Sequence, residues 1–230
     1  MFLDPNQTFN VYASSGKISQ CDNALSAALN ASLCVGCVAD DGAVLVSYKK
    51  VSKLVNKESF NKVFNVCDSI GVTYSGLQPD FMVQLQEAQK LCQDYKEVYG
   101  KYPSLDTFMN EYSQIMIRFS NEGGLRPFGT YLLFVGTREC GDSSNKNMMF
   151  YMDPSSSFGS VEVSAAGVNY EQAKIFMERR RGCLDDNIQT ALNALKEHVG
   201  VAIKAEDISV GVLKEGKFKV YSKIEKEELF

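Results

Sequence analysis

Tryptophan is absent from the 230 residues, histidine occurs once, and the five prolines are scattered. The single histidine, His198, leaves Ser–His–Asp and Cys–His mechanisms only one residue to draw on. It ends a helical pattern, where a surface histidine is electrostatically favoured and needs no catalytic role. No phosphate-loop or dinucleotide glycine pattern occurs. Basic surplus is also missing: 24 Lys and Arg stand against 28 Asp and Glu, a net charge of −4, so no nucleic-acid partner is expected. The cluster Arg179-Arg180-Arg181 sits beside Glu178, Asp185 and Asp186 and reads as a solvated helix end or ion-pair network. No Pro/Gly/Ser-rich linker divides the chain, so residues 1–230 are expected to form one domain. The densest late apolar run, 131–135, is far short of the roughly 20 residues that cross a bilayer. Met1-Phe2-Leu3-Asp4-Pro5 lacks the features of a secretory leader. Seven dispersed cysteines, an odd number, suit a reducing compartment. A soluble intracellular protein without a membrane partner is the expectation.

What is present centres on residues 32–50. Two apolar runs, 33–39 and 43–48, flank Asp41-Gly42, a hairpin signal attributed to glycine's tolerance of positive φ. Neither run alternates cleanly, so both faces are expected to be covered by protein. Cys34-Val35-Gly36-Cys37 is formally C-x-x-C, but on a strand residues three apart point to opposite faces. With no second pair and one histidine, a zinc site is not expected.

Residues 1–15 are polar and read as a tail. Ile18, Cys21, Leu25, Ala28 and Leu29 recur at helical spacing. Ala24, Ala27, Ala28 and Ala31 make this helix slim enough to lie close to a neighbouring backbone. A strand pair follows at 61–66 and 70–75. A long helix from Asp80 carries Met82, Leu85, Ala88, Leu91, Cys92 and Tyr95 on one face and stops near Gly100, with Pro103 beyond. A second helix spans about 105–119. After the glycine-rich loop 121–129 come strands at 130–135, 148–152 and 161–164, helices at about 170–180 and 185–198, and a strand pair at 208–213 and 218–221. That order predicts helices layered outside packed sheets.

Read together, several stretches resemble the α subunits of the 20S proteasome, across nearly the whole chain. They are Gly16-Lys17-Ile18-Ser19-Gln20 entering the alanine-rich helix, Asp41-Gly42-Ala43-Val44-Leu45, Lys49-Lys50, Tyr74-Ser75-Gly76-Leu77-Gln78-Pro79-Asp80, Gly123-Gly124-Leu125-Arg126-Pro127-Phe128-Gly129 and Met152-Asp153-Pro154-Ser155. The Ser-Gly-x-x-Pro-Asp run is most like the type-2 branch. Departures imply a divergent lineage: Pro5 and Asn6 stand in place of a Tyr-Asp pair, Asn23 in place of a tyrosine, and Ala31 and Ser156 in place of glycines.

The resemblance implies an α+β, four-layer αββα sandwich, the N-terminal nucleophile hydrolase fold, over residues 32–230. The helix at 16–31 is an extension, and residues 1–15 a gate-region tail. It implies a non-catalytic subunit of a heptameric ring in cytoplasm and nucleus, serving ubiquitin-dependent degradation without a cofactor. Its partners would be neighbouring α subunits, β-ring subunits, and regulatory-particle ATPases or other activators. Carried onto this sequence, the activator pocket falls at Lys62, Leu77 and Ala31, the ring interface at Gln20, Ala24 and Arg126, and the gate at Asn6 and Tyr12.

The rival reading is an active β-type peptidase, with Ser32 as nucleophile and Lys62 lowering its pKa. Against it, the acidic partner position two before Lys50 is Tyr48, and the segment upstream of Ser32 is an amphipathic helix. A freestanding binding module is a third class, separable by particle size. Two residues keep bland alternatives at this stage. Lys62 can be one more exposed lysine like Lys53 or Lys57, and Arg126 can hydrogen-bond its own loop to the helices.

Overall fold

The computed structural model describes residues 12, 16–52, 54–57, 59–122, 125–138 and 146–229. Two hairpins set the frame. β1 (Cys34–Ala39) and β2 (Gly42–Tyr48) pair antiparallel, with Ala39 opposite Gly42 and Asp40-Asp41 as the turn. The sequence reading placed positive φ at Gly42, but its φ is not positive. The glycine answers a different constraint: a Cβ there would lie 2.4 Å from the Leu213 carbonyl oxygen and 2.7 Å from the Leu184 side chain. β3 (Val63–Asn65) and β4 (Gly71–Gly76) form the second pair.

From these grow two five-stranded sheets, ordered β10-β9-β2-β1-β8 and β3-β4-β5-β6-β7. The added strands are β5 (Thr130–Arg138), β6 (Lys146–Met152), β7 (Phe158–Val161), β8 (Val163–Ala166), β9 (Ile208–Lys214) and β10 (Lys217–Val220). The helices are α1 (Ser19–Leu29), α2 (Gln78–Tyr99), α3 (Leu105–Asn121), α4 (Tyr170–Glu178), α5 (Leu184–His198) and α6 (Lys223–Glu227). Apolar side chains divide into three layers. Val35, Val44 and Val46 of the first sheet pack with Ile188, Ala191 and Leu195 of α5. Tyr74 and Phe134 of the second pack with Phe81 of α2 and Phe108 of α3. Between the sheets, Leu45, Leu133, Met149 and Phe218 interleave. The arrangement is an αββα sandwich. It also sends Cys34 and Cys37 to different layers, one between the sheets and one toward the helices, as strand alternation required.

Three expectations need correction. The expected single strand at 161–164 is two strands in different sheets: Val161 pairs with Met149 of β6, and Val163 with Cys37 of β1. Glu162 carries the chain across, which a period-two pattern cannot reveal. Met82 is exposed, and the buried face of α2 begins instead with Asp80, Phe81 and Gln84. The helix starts at Gln78, and that phase stacks Phe81 on Tyr74, with ring centroids 3.9 Å apart. α6 had no counterpart, because its short charged sequence carries no apolar stripe.

Candidate functional site

Lys62 ends the connection that leads into β3, and both sheets fix its backbone. Its N–H donates to Ser209 Oγ of β9 at 3.1 Å, and its carbonyl accepts Thr73 Oγ1 of β4 at 2.9 Å. The side chain is only 3% exposed, so the exposed-lysine alternative does not hold. The ammonium donates to Ser32 Oγ and lies 4.6 Å from the centroid of the Tyr74 ring. Burial disfavours the charged form and pulls this lysine down to about 8. Among the described residues no carboxylate pairs with it.

Ser32 is placed by what lies on either side of it. Ser75 Oγ of β4 is 2.8 Å from the Ala28 carbonyl oxygen of α1 and 3.1 Å from that of Ser32. The Ala31 carbonyl accepts Val168 N–H at 2.9 Å. Gly167, at φ +109, lets this second loop approach, since a Cβ there would meet the Leu33 backbone at 2.8 Å. Together these place Ser32 and Lys62 at the floor of a cavity of about 240 Å³, lined also by Ala31, Lys50, Phe60, Tyr74, Gly76 and Gln78. A second cavity of about 260 Å³ adjoins it across Ser32 and Lys50, with Leu33, Tyr48, Val168, His198, Val199 and Val201 in its walls. His198 is half-buried rather than a bare surface residue, its Nε2 covered and its ring edge-on to Phe176. A buried cation with aromatic walls and exposed Lys50 in the same lining suits a small anionic group better than an apolar one.

The residues singled out from sequence fall in several places. Ala31 and Lys62 share the cavity; Leu77 lies outside its lining, its N–H bound to the Gly129 carbonyl at 3.0 Å, while its neighbours Gly76 and Gln78 line it. Gln20 and Ala24 are half-buried on α1, which packs against β4 and β5. Tyr12 is 73% exposed. Asn6 and Pro5, Lys53, Gly123 and Gly124 lie outside the described residues. Lys57 is no free surface lysine: it pairs with Glu206 at 3.0 Å and Asp207 at 2.6 Å. Tyr74, Phe60, Lys50 and Gln78 were not read as site residues; Lys50, Tyr74 and Gln78 stand in motifs quoted for the resemblance, but nothing local marks them as walls of one cavity that only the tertiary fold assembles.

Arg126 makes the internal bond that was one of its two readings. Its guanidinium grips both carboxylate oxygens of Asp80, at 2.6 and 2.8 Å, while 64% of the side chain stays exposed. Asp80 also accepts the Gly129 N–H at 2.9 Å and sits in the first turn of α2, where negative charge is favoured. The Arg126 guanidinium holds this carboxyl below its ordinary range. A depressed folded pKa gives stability that is complete above the unfolded carboxylate value of about 4 and lost as pH falls below it. Asp80→Asn should therefore cost about 1–3 kcal/mol near neutrality and flatten the acid limb. Arg126→Ala removes the countercharge and leaves the buried Asp80 carboxylate with the Gly129 N–H, so it should cost a similar amount and flatten the acid limb as well. Denaturant unfolding at neutral and acid pH checks both, and an acid limb unchanged in either variant would contradict this account.

Two sheets between helix pairs, with a hydroxyl at the head of the first strand beside a buried lysine, define the N-terminal nucleophile hydrolase fold. Within that class the chain belongs to the proteasome subunit family, which matches residues 28–213. It is 34% identical to "Proteasome subunit alpha type-2" of Oryza sativa subsp. indica, over 95% of this chain and 93% of that one. The identity is 34% to "Probable proteasome subunit alpha type-2" of Schizosaccharomyces pombe, over 90% of this chain and 84% of that one. Against the Dictyostelium discoideum "Proteasome subunit alpha type-2" it is 31%, over 95% and 94%. The protein is an α-type proteasome subunit, in agreement with the motif resemblance, type-2 branch included.

Proposed function

We propose that this chain is a non-catalytic member of the outer α ring of the 20S proteasome, acting in ubiquitin-dependent degradation in cytoplasm and nucleus. In this reading it joins neighbouring α subunits in a heptameric ring, rests on the β ring, and helps gate substrate entry. Its Lys62 cavity receives the C-terminal carboxylate of a regulatory-particle ATPase or other activator.

The observation that carries this reading is the buried lysine at the cavity floor with no carboxylate partner among the described residues. In an active relative of the fold, such a lysine would serve a hydroxyl nucleophile whose own amine is free. Here the Ser32 nitrogen is joined to Ala31, whose carbonyl is tied to Val168. Tyr48 occupies the position where an acid would support the lysine. An anion from outside would supply the missing countercharge.

The contact between Lys62 and Ser32 favours one rival, the β-type peptidase, and it is the same pair that rival requires. The test is turnover of fluorogenic peptides by the purified chain, alongside the size of the particle from which a tagged chain is recovered. The expected outcome is no turnover, unchanged by Ser32→Ala, and a particle many times 25.5 kDa. Turnover abolished by Ser32→Ala would establish the peptidase, and a chain recovered only as a monomer would establish a freestanding module.

A further inference from the structure

The connection from β2 to β3 delivers Lys62, and it also carries Lys50 and Phe60, two more residues of the same cavity wall. Both of its ends are bound to one short stretch of chain. At one end the Lys49 N–H donates to the Asp207 carbonyl at 2.7 Å, and at the other the Lys62 N–H donates to Ser209 Oγ at 3.1 Å. Asp207 closes a 3-10 turn, Ala205–Asp207, that leads straight into β9. Between its ends the connection folds about a buried ammonium. Lys49 is 2% exposed, and its Nζ donates to the Lys57 carbonyl at 2.8 Å and to Asn61 Oδ1 at 3.3 Å.

Lys57 ties the middle of the connection to the same turn. Its ammonium lies 2.6 Å from Asp207 Oδ1 and 3.0 Å from Glu206 Oε1. Asp207 is held ready for it, since its other oxygen accepts the Lys204 N–H at 3.0 Å. The Lys57 and Asp207 side chains are 22% and 14% exposed, so solvent screens this pair less than an open surface pair. Lys57 is not itself in the cavity lining, and its influence there passes through the backbone it holds.

We propose that Lys57, through Asp207 and Glu206, is the positioning residue that keeps Lys50 and Phe60 in the wall of the Lys62 cavity and so sets its affinity for a terminal carboxylate. The affinity half of this statement rests on the reading of the cavity given under the proposed function. Two lysines, Lys62 at the floor and Lys50 in the wall, attract the anion, and the attraction depends on how closely both are held to it. Without the Lys57 charge, the Lys49 bonds still anchor the base of the connection, but its middle loses its tie to residues 205–207. The complete wall then belongs to a smaller fraction of molecules, and apparent affinity falls by that fraction.

The test compares assembled particles carrying Lys57→Gln, Lys57→Arg or Asp207→Asn with wild type, reading the affinity of a carboxy-terminal tail peptide and the amide hydrogen exchange of residues 54–57. Lys57→Gln should bind the tail about three- to tenfold more weakly, the size of population shift that one partly sheltered ion pair can impose. Exchange at 54–57 should quicken while the thermal midpoint stays at the wild-type value. Lys57→Arg, which keeps the charge, should bind like wild type. Asp207→Asn should weaken binding in the same direction, and the double variant should be no weaker than Lys57→Gln alone, because both changes break one contact. Wild-type tail affinity in Lys57→Gln, or wild-type exchange at 54–57, would overturn the proposal. Lys62→Met measured beside it separates that result from failure of the carboxylate reading, in which Lys62→Met would bind like wild type as well.

Discussion

Phe218→Ala should lower the thermal midpoint by about 6–20 °C. The estimate combines a loss of about 3–5 kcal/mol for a deleted core phenylalanine with about 2–4 °C per kcal/mol for a chain of this size. The ring is 5% exposed and wedges between the two sheets at their β10 and β3 edges. It lies over two glycines, one in each sheet. A Cβ on Gly71 of β4 would fall 2.2 Å from the ring, and one on Gly211 of β9 would fall 2.4 Å from it. The backbone of the same residue joins the sheets: its N–H donates to the Asp68 carbonyl at 2.8 Å, and its carbonyl accepts Asn65 Nδ2 at 3.3 Å. Truncation therefore leaves a cavity between two glycines, neither of which has a side chain with which to fill it. Chemical denaturation and thermal melting of the variant read the loss directly. An unchanged midpoint would mean that the inter-sheet layer does not carry the stability assigned to it.

The wedge also marks where sequence reading stops. Phe218 was legible as a strand residue, but nothing near Gly71 or Gly211 says that both make room for one ring from a third strand. The layer order was legible because it follows from periodicity, and because hairpins and helices with clear stops leave few ways to cover both faces of a sheet. The crossing at Glu162 was not, since the strand expected at 161–164 reads as one β-forming run whether it stays in a sheet or changes sheets. In the site, Lys62 and Ala31 were reached through family resemblance and meet at one cavity, while Tyr74, Phe60 and Lys50 arrive only when the chain folds. Leu77 shows the limit from the other side. It neighbours two lining residues, Gly76 and Gln78, yet lies outside the lining itself.

The account rests on Lys62 as the receptor for an activator's terminal carboxylate, and the affinity of a carboxy-terminal tail peptide for intact particles measures it. Lys62→Met keeps the volume and apolar stem while removing the charge, so the packing around Tyr74 and Ser32 is disturbed less than by alanine. Loss of one charge-assisted hydrogen bond, about 1.5–3 kcal/mol, corresponds to roughly ten- to a hundredfold weaker binding. The wild-type lysine, held down to about 8, is cationic below that pH and increasingly neutral above it. Tail affinity should therefore fall as pH rises through about 8 in the wild type, and Lys62→Met should flatten that dependence. Amidating the peptide's terminus should weaken wild-type binding and leave the variant nearly unaffected, and Lys53→Ala should bind like wild type. The account predicts weak, pH-insensitive binding by Lys62→Met particles that remain assembled. Equal tail affinity for wild type and Lys62→Met would contradict it.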